Sequence, residues 1–132
     1  MIRILLVDDH PVVRHGIRAI LTDRFQDAVV AEAGDAPSAL REVDNAEWDV
    51  VLLDITMPSL DAVSLPHAMP RRPRCPIVLF SDRSERELAL LAEQSGAAGY
   101  IRKTAETDQL IGEVERILSL AAEFCPPRSF DR

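Results

Sequence analysis

The chain has 132 residues, with 22 Asp and Glu against 15 Lys and Arg, for a formal net charge of −7. That length fits one domain, able to bury roughly two-thirds of the surface its unfolded chain exposes. The acidic balance and the lack of a basic stripe argue against a surface that grips nucleic acid through its phosphates, and no apolar run approaches the roughly 18 residues of a membrane span.

Met1 leads straight into Ile2-Arg3-Ile4, so residues 2–7 read as a first strand and no signal peptide is expected. Val13, Ile17, Ile20 and Leu21 follow at helical spacing. Residues 29–33 form a second, less apolar strand, expected at an edge of the sheet. Ala36, Ala39, Leu40 and Val43 stripe a second helix, with Asp35 as its N-cap. Residues 50–53 are a continuous apolar run, as expected of a strand covered by helices on both faces. Runs 77–80 and 99–101 supply two more strands. Between them, Ser84 and Glu87 have the spacing of a capping box ahead of Leu88, Leu91 and Ala92. Leu110, Val114, Ile117, Leu118 and Ala121 mark a last helix. Alternation of this kind implies an α/β fold, a doubly wound parallel sheet with right-handed crossovers.

Segment 61–74 resists the pattern. Pro66, Pro70 and Pro73 limit it to one or two helical turns, with Ser64 as a cap and Pro66 in the first turn. Arg71, Arg72 and Arg74 lie among prolines and read as a solvated loop. Cys75 and Cys125 fit no metal or redox spacing and suggest a reducing, cytoplasmic setting. A domain over residues 1–122 is expected, with 123–132 as a tail or the start of a linker.

Five polar residues sit where these apolar runs end: Asp8 and Asp9, Asp54, Ser81 and Lys103. In a parallel sheet they emerge along one carboxyl edge, where ligands bind in open α/β folds. Each has an ordinary alternative, since Asp-Asp can begin a helix, Ser81 can cap one, and Lys103 can be a surface lysine. Together they define a chemistry. Close carboxylates near a surface repel by about 1–4 kcal/mol per pair, and a hard divalent cation relieves that cost. Mg²⁺ suits two carboxylates, a carbonyl and waters. Lys103 is expected to pair with Asp54 at rest and with a phosphoryl oxygen later, and the Ser81 hydroxyl to hydrogen-bond such an oxygen. His10, His15 and His67 receive no metal assignment: His10 is expected to pack the loop beside the acids and His15 to face solvent, neither with a partner at ligand spacing.

Over residues 2–122 the chain resembles the receiver domain of two-component response regulators. The resemblance rests on Asp8-Asp9, then Asp54-Ile55-Thr56-Met57-Pro58, then Ser81, then Tyr100-Ile101-Arg102-Lys103. The stretch from Asp8 to Gly16 is similar to the branch usually fused to helix-turn-helix DNA-binding domains. The resemblance implies a flavodoxin-like (βα)5 sheet of order 2-1-3-4-5. It implies that Asp54 accepts a phosphoryl group from a histidine kinase or phosphotransfer protein. Asp9 and Asp54 would ligate Mg²⁺ directly with the Thr56 carbonyl, and Asp8 largely through water. Lys103 and Ser81 would hold the phosphoryl oxygens. Ser81 and Tyr100 would switch a partner-binding face made by the helix after the fourth strand, the fifth strand and the last helix, with a homodimer as one outcome.

Departures from the family pattern are Ser59 and Ala62, where Gly is frequent, and Thr104, where Pro is frequent, so no cis peptide is expected after Lys103. Thr56 and Arg83 would flank the line of water attack. Other function classes fit less well. A phosphate-indifferent binding module should have lost an acid or the lysine, and all are present. Phosphatases with an aspartyl nucleophile usually carry a second Asp two residues on, where this chain has Thr56. A flavin site lacks its phosphate loop, and a dinucleotide site lacks G-x-G-x-x-G. Transcription output would need a domain that this chain lacks, whether lost or cut away, or else the chain docks as a stand-alone regulator.

Overall fold

The computed structural model describes residues 1–55 and 76–124, with side chains to residue 120. The expected helix over 61–74, Thr56, His67 and both cysteines lie outside the described residues.

The elements run β1 (Ile2–Val7), α1 (Pro11–Arg24), β2 (Ala28–Ala33), α2 (Ala36–Asn45), β3 (Val50–Asp54), β4 (Ile77–Ser81), α3 (Glu85–Ser95), β5 (Gly99–Arg102) and α4 (Thr107–Phe124). The strands form one parallel sheet in the order β2-β1-β3-β4-β5. The less apolar strand β2 is indeed at an edge, and Val29 on it is exposed.

Successive strand residues point to opposite faces, and this builds two cores. Leu5, Val7, Val51, Leu53 and Leu79 pack on one face against Ala39 and Val43 of α2 and Leu88 and Ala92 of α3. Ile4, Leu6, Val50, Leu52, Val78 and Phe80 pack on the other against Ile17 and Leu21 of α1 and Leu110, Val114 and Ile117 of α4. Each fully buried aliphatic side chain contributes about 1.5–3 kcal/mol, so a strand buried on both faces has no polar residue until its end. Leu110, Val114 and Ile117 are thereby spent on the core.

Local chemistry sets the helix ends. Asp35 caps α2, its Oδ1 accepting from the Ser38 amide at 2.8 Å. The capping box at α3 is complete: the Glu87 amide donates to Ser84 Oγ and the Ser84 amide to Glu87 Oε1. That helix stops at Gly96, whose φ of 76° is left-handed. Trp48, unremarked in the sequence, is buried beneath α2 and donates from Nε1 to the Glu42 carbonyl at 2.7 Å. No described peptide bond is cis, including the one after Lys103.

Candidate functional site

Register brings the polar strand ends together. Val7 pairs with Leu53, so Asp8 and Asp54 follow side by side. Asp54 pairs with Phe80 and Phe80 with Ile101, which sets Lys103 just beyond that row. The Lys103 amide also donates to the Ser81 carbonyl at 2.8 Å, tying the ends of β4 and β5.

Asp54 is completely buried. Its Oδ2 accepts from Lys103 Nζ at 3.0 Å, and the same ammonium lies 3.6 Å from Asp8 Oδ2. Lys103 Nζ also stands 5.5 Å from the Phe80 ring centroid, on a π face that favours a cation. Burial works against the lysine's charge, but the hydrogen bond and charge of Asp54 outweigh it and raise the Lys103 pKa above its usual value. The pairing expected between Lys103 and Asp54 is present.

Asp8 is 3% exposed. Burial is the main reason its carboxyl is raised above the ordinary range, and the neighbouring Asp54 charge adds to it. Hydrogen bonds from His10 and the Lys103 charge pull the other way. Like-charge repulsion, the cost anticipated from sequence, is thus real but smaller than desolvation.

His10 is the residue that sequence reasoning set aside. Its amide donates to Asp8 Oδ1 at 2.8 Å, and its ring Nδ1 lies 3.0 Å from Asp8 Oδ1, 3.0 Å from Asp9 Oδ1 and 3.7 Å from Asp54 Oδ2. It therefore does have partners at ligand spacing. Pro11 carried the signal: it opens α1 and holds His10 extended, at φ −102° and ψ 101°. At the N-cap of α1 His10 makes no capping hydrogen bond; its ring turns to the acids instead. His15 is exposed as expected, with Nε2 3.5 Å from Glu32 Oε1.

Arg14 was also missed. It donates from Nη1 to the Asp8 carbonyl at 2.5 Å and from Nε to Glu32 Oε1 at 2.6 Å, bracing the loop after β1 against β2. Side-chain bulk at position 34 would crowd this guanidinium, since a Cβ on Gly34 would lie 3.3 Å from Nη1.

The donor set fits a divalent cation. One ligand atom from each of Asp8, Asp9, His10 and Asp54 can be chosen so that all lie within 4.8 Å of one another. Asp8 Oδ2 and Asp9 Oδ1 are buried without a hydrogen bond, although Lys103 Nζ lies 3.6 Å from the first and His10 Nδ1 3.0 Å from the second. Buried oxygens in that state are what an oxygen-seeking ion satisfies.

Ser81 is buried at the end of β4, and its Oγ accepts from the Arg83 amide at 3.0 Å. Tyr100 on β5 is half-buried. It lines two shallow grooves, one with Ala92, Ala97 and Arg116, the other with Thr104, Ala105 and Gln109. No helix among the described residues is long and apolar enough to cross a membrane.

The acidic pocket and the lysine thus lie at the carboxyl edge of a doubly wound sheet, where ligands bind in such folds. The response regulator receiver domain profile matches residues 4–115, and the chain belongs to that family of two-component signalling domains. It is 33% identical over 121 residues to the glycerol metabolism activator of Pseudomonas putida, covering 90% of this chain and 55% of that protein. It is 34% identical over 120 residues to the response regulator UvrY of Escherichia coli K12, covering 90% and 55%. A crystal structure of a LuxR-family two-component response regulator from Aurantimonas sp. SI85-9A1 superposes with a TM-score of 0.81 at 36% identity, covering 89% of this chain and 84% of that one. The chain spans about half the length of the curated relatives it matches. Receiver domains act as signalling switches and not as metabolic enzymes.

Proposed function

We propose that this chain accepts a phosphoryl group on Asp54 from a histidine kinase or phosphotransfer protein in the cytoplasm, with Mg²⁺ in the acidic pocket. The observation that carries this reading is the buried Lys103–Asp54 pair beside two carboxylate oxygens that lack hydrogen bonds. Asp9 and Asp54, with the Thr56 carbonyl, would hold Mg²⁺ directly, and Asp8 largely through water. When bound, Mg²⁺ supplies neutralisation of charge on the phosphoryl oxygens.

An Asp54 oxygen attacks the phosphorus. The bond from phosphorus to the donor's imidazole nitrogen breaks, its electron pair leaves with the imidazole, and an acyl phosphate remains on Asp54. A carboxylate meets a dianionic phosphoryl group at a charge penalty, and Lys103 offsets it by moving its hydrogen bond from Asp54 to a phosphoryl oxygen. The Ser81 hydroxyl donates to another. That shift of Ser81, with Tyr100 turning inward behind it, alters the face made by α3, β5 and α4. A protein partner, a linked output domain or a second copy reads the change. The two states need differ by only a few kcal/mol. The receiver unit spans residues 1–122 in this reading, with 123–132 a tail or the start of a linker.

The test is intact mass after incubation with acetyl phosphate and Mg²⁺. One phosphoryl adduct is expected on the wild type and none on Asp54→Ala or after chelation with EDTA. Adduct on both proteins would move the acceptor elsewhere. Adduct on neither, with Mg²⁺ binding demonstrated, would favour docking that ignores phosphate.

A further inference from the structure

We propose that His10 supplies its ring Nδ1 as a further direct donor to the cation held by Asp9 and Asp54, with Asp8 behind it through water, making a mixed oxygen–nitrogen site with added affinity for first-row transition ions. The proposal rests on the cation-site reading above and deepens it.

Adjacent corners of an octahedron with bonds of about 2.1 Å stand about 3.0 Å apart. His10 Nδ1 is 3.0 Å from Asp9 Oδ1, the separation of neighbouring ligands on one ion, and it shares a hydrogen bond of 3.0 Å with Asp8 Oδ1. Asp54 Oδ2, at 3.7 Å from Nδ1, closes the same group. A second observation points to an ion independently. Asp8 is 3% exposed, and its Oδ2 is buried with no hydrogen bond, as is Asp9 Oδ1.

The ring is also held in place before any ion arrives. Pro11 fixes the chain direction, the His10 amide is bonded to Asp8 Oδ1, and Arg14 holds the Asp8 carbonyl from behind. Ordering the imidazole therefore costs little on binding. Coordination at Nδ1 uses the neutral tautomer that carries its proton on Nε2, so the hydrogen bond between Nδ1 and Asp8 Oδ1 gives way as the ion binds. An imidazole nitrogen adds little for Mg²⁺, which prefers oxygen, and much for Ni²⁺ or Zn²⁺; Mn²⁺ accepts both donor types.

Any site of this kind binds Ni²⁺ more tightly than Mg²⁺, so the informative quantity is how each affinity changes on removing the ring. Calorimetric titration of the wild type and His10→Ala with MgCl₂ and with NiCl₂ measures it. Loss of a ligand should weaken Ni²⁺ by about tenfold or more and leave Mg²⁺ within about threefold. Pulsed electron paramagnetic resonance of bound Mn²⁺ should show a nitrogen coupling in the wild type that is lost in both His10→Ala and His10→Asn. Equal loss for both ions, an unchanged nitrogen coupling, or tighter Mg²⁺ binding by His10→Ala would each overturn the proposal. The last result would mean that the ring occupies the ion's place instead of binding it. A wild type that binds neither ion would remove the cation site itself.

Discussion

Lys103 reaches from beyond β5, past β4, to Asp54 at the end of β3, with Nζ 3.0 Å from Oδ2. The lysine neutralises a fully buried carboxylate at rest, and in the proposed reaction it is the positive charge that meets the incoming phosphoryl group. Lys103→Ala should therefore act in opposite directions on two readouts. Mg²⁺ should bind more tightly, because a competing cation has gone. Phosphoryl transfer from acetyl phosphate should slow by about 10²–10³-fold, as for removal of one preorganised donor. Titration calorimetry and the rate of adduct formation check the two halves.

Burial, with the Asp54 charge adding to it, raises the Asp8 carboxyl above its ordinary range. An acid whose proton is held more tightly when folded costs stability once pH rises above its unfolded-state value. Asp8→Asn should stabilise the metal-free chain by about 1 kcal/mol, and Mg²⁺ should then raise its melting temperature less than it raises that of the wild type. Thermal unfolding with and without MgCl₂ measures both changes.

Glu32 on β2 accepts from Arg14 Nε at 2.6 Å and Arg18 Nη1 at 2.7 Å. Burial pushes its carboxyl up, but the hydrogen bonds from Arg18 and Arg14 outweigh that and hold its pKa below the ordinary 4.5. The sign follows from linkage: this stabilisation is complete above 4.5 and is lost as pH falls through the depressed folded-state value. With Arg18 half exposed, the amount should stay below about 1 kcal/mol. Urea unfolding at neutral and acidic pH should find the gap between wild type and Glu32→Gln closing as pH drops. A gap that ignores pH would assign the effect to packing.

Gly96 ends α3 with φ at 76°, and no described atom lies within 4 Å of a Cβ built there. Gly96→Ala should cost about 1 kcal/mol from backbone strain alone. Gly96→Asn should cost less, because Asn tolerates this region. Equilibrium unfolding in urea should show a lowered midpoint with an unchanged slope.

The apolar runs, the helical stripes on α1, α2 and α4, and the caps at Asp35 and Ser84 were legible along the chain, because each depends on side chains within a few residues of one another. So were Asp8, Asp9, Asp54, Ser81 and Lys103 as strand-end residues, since a strand buried on both faces admits polar groups only where it stops. Distances between strands are another matter. Which acids a ring or a guanidinium reaches depends on register across the sheet and on a loop's direction, neither of which any local spacing encodes. Folding alone put the His10 imidazole among three carboxylates, set Arg14 between Asp8 and Glu32, and buried Trp48 under α2. It also made burial the larger source of the raised Asp8 carboxyl, ahead of repulsion from Asp54, because Asp8 is itself buried at the carboxyl edge of the sheet.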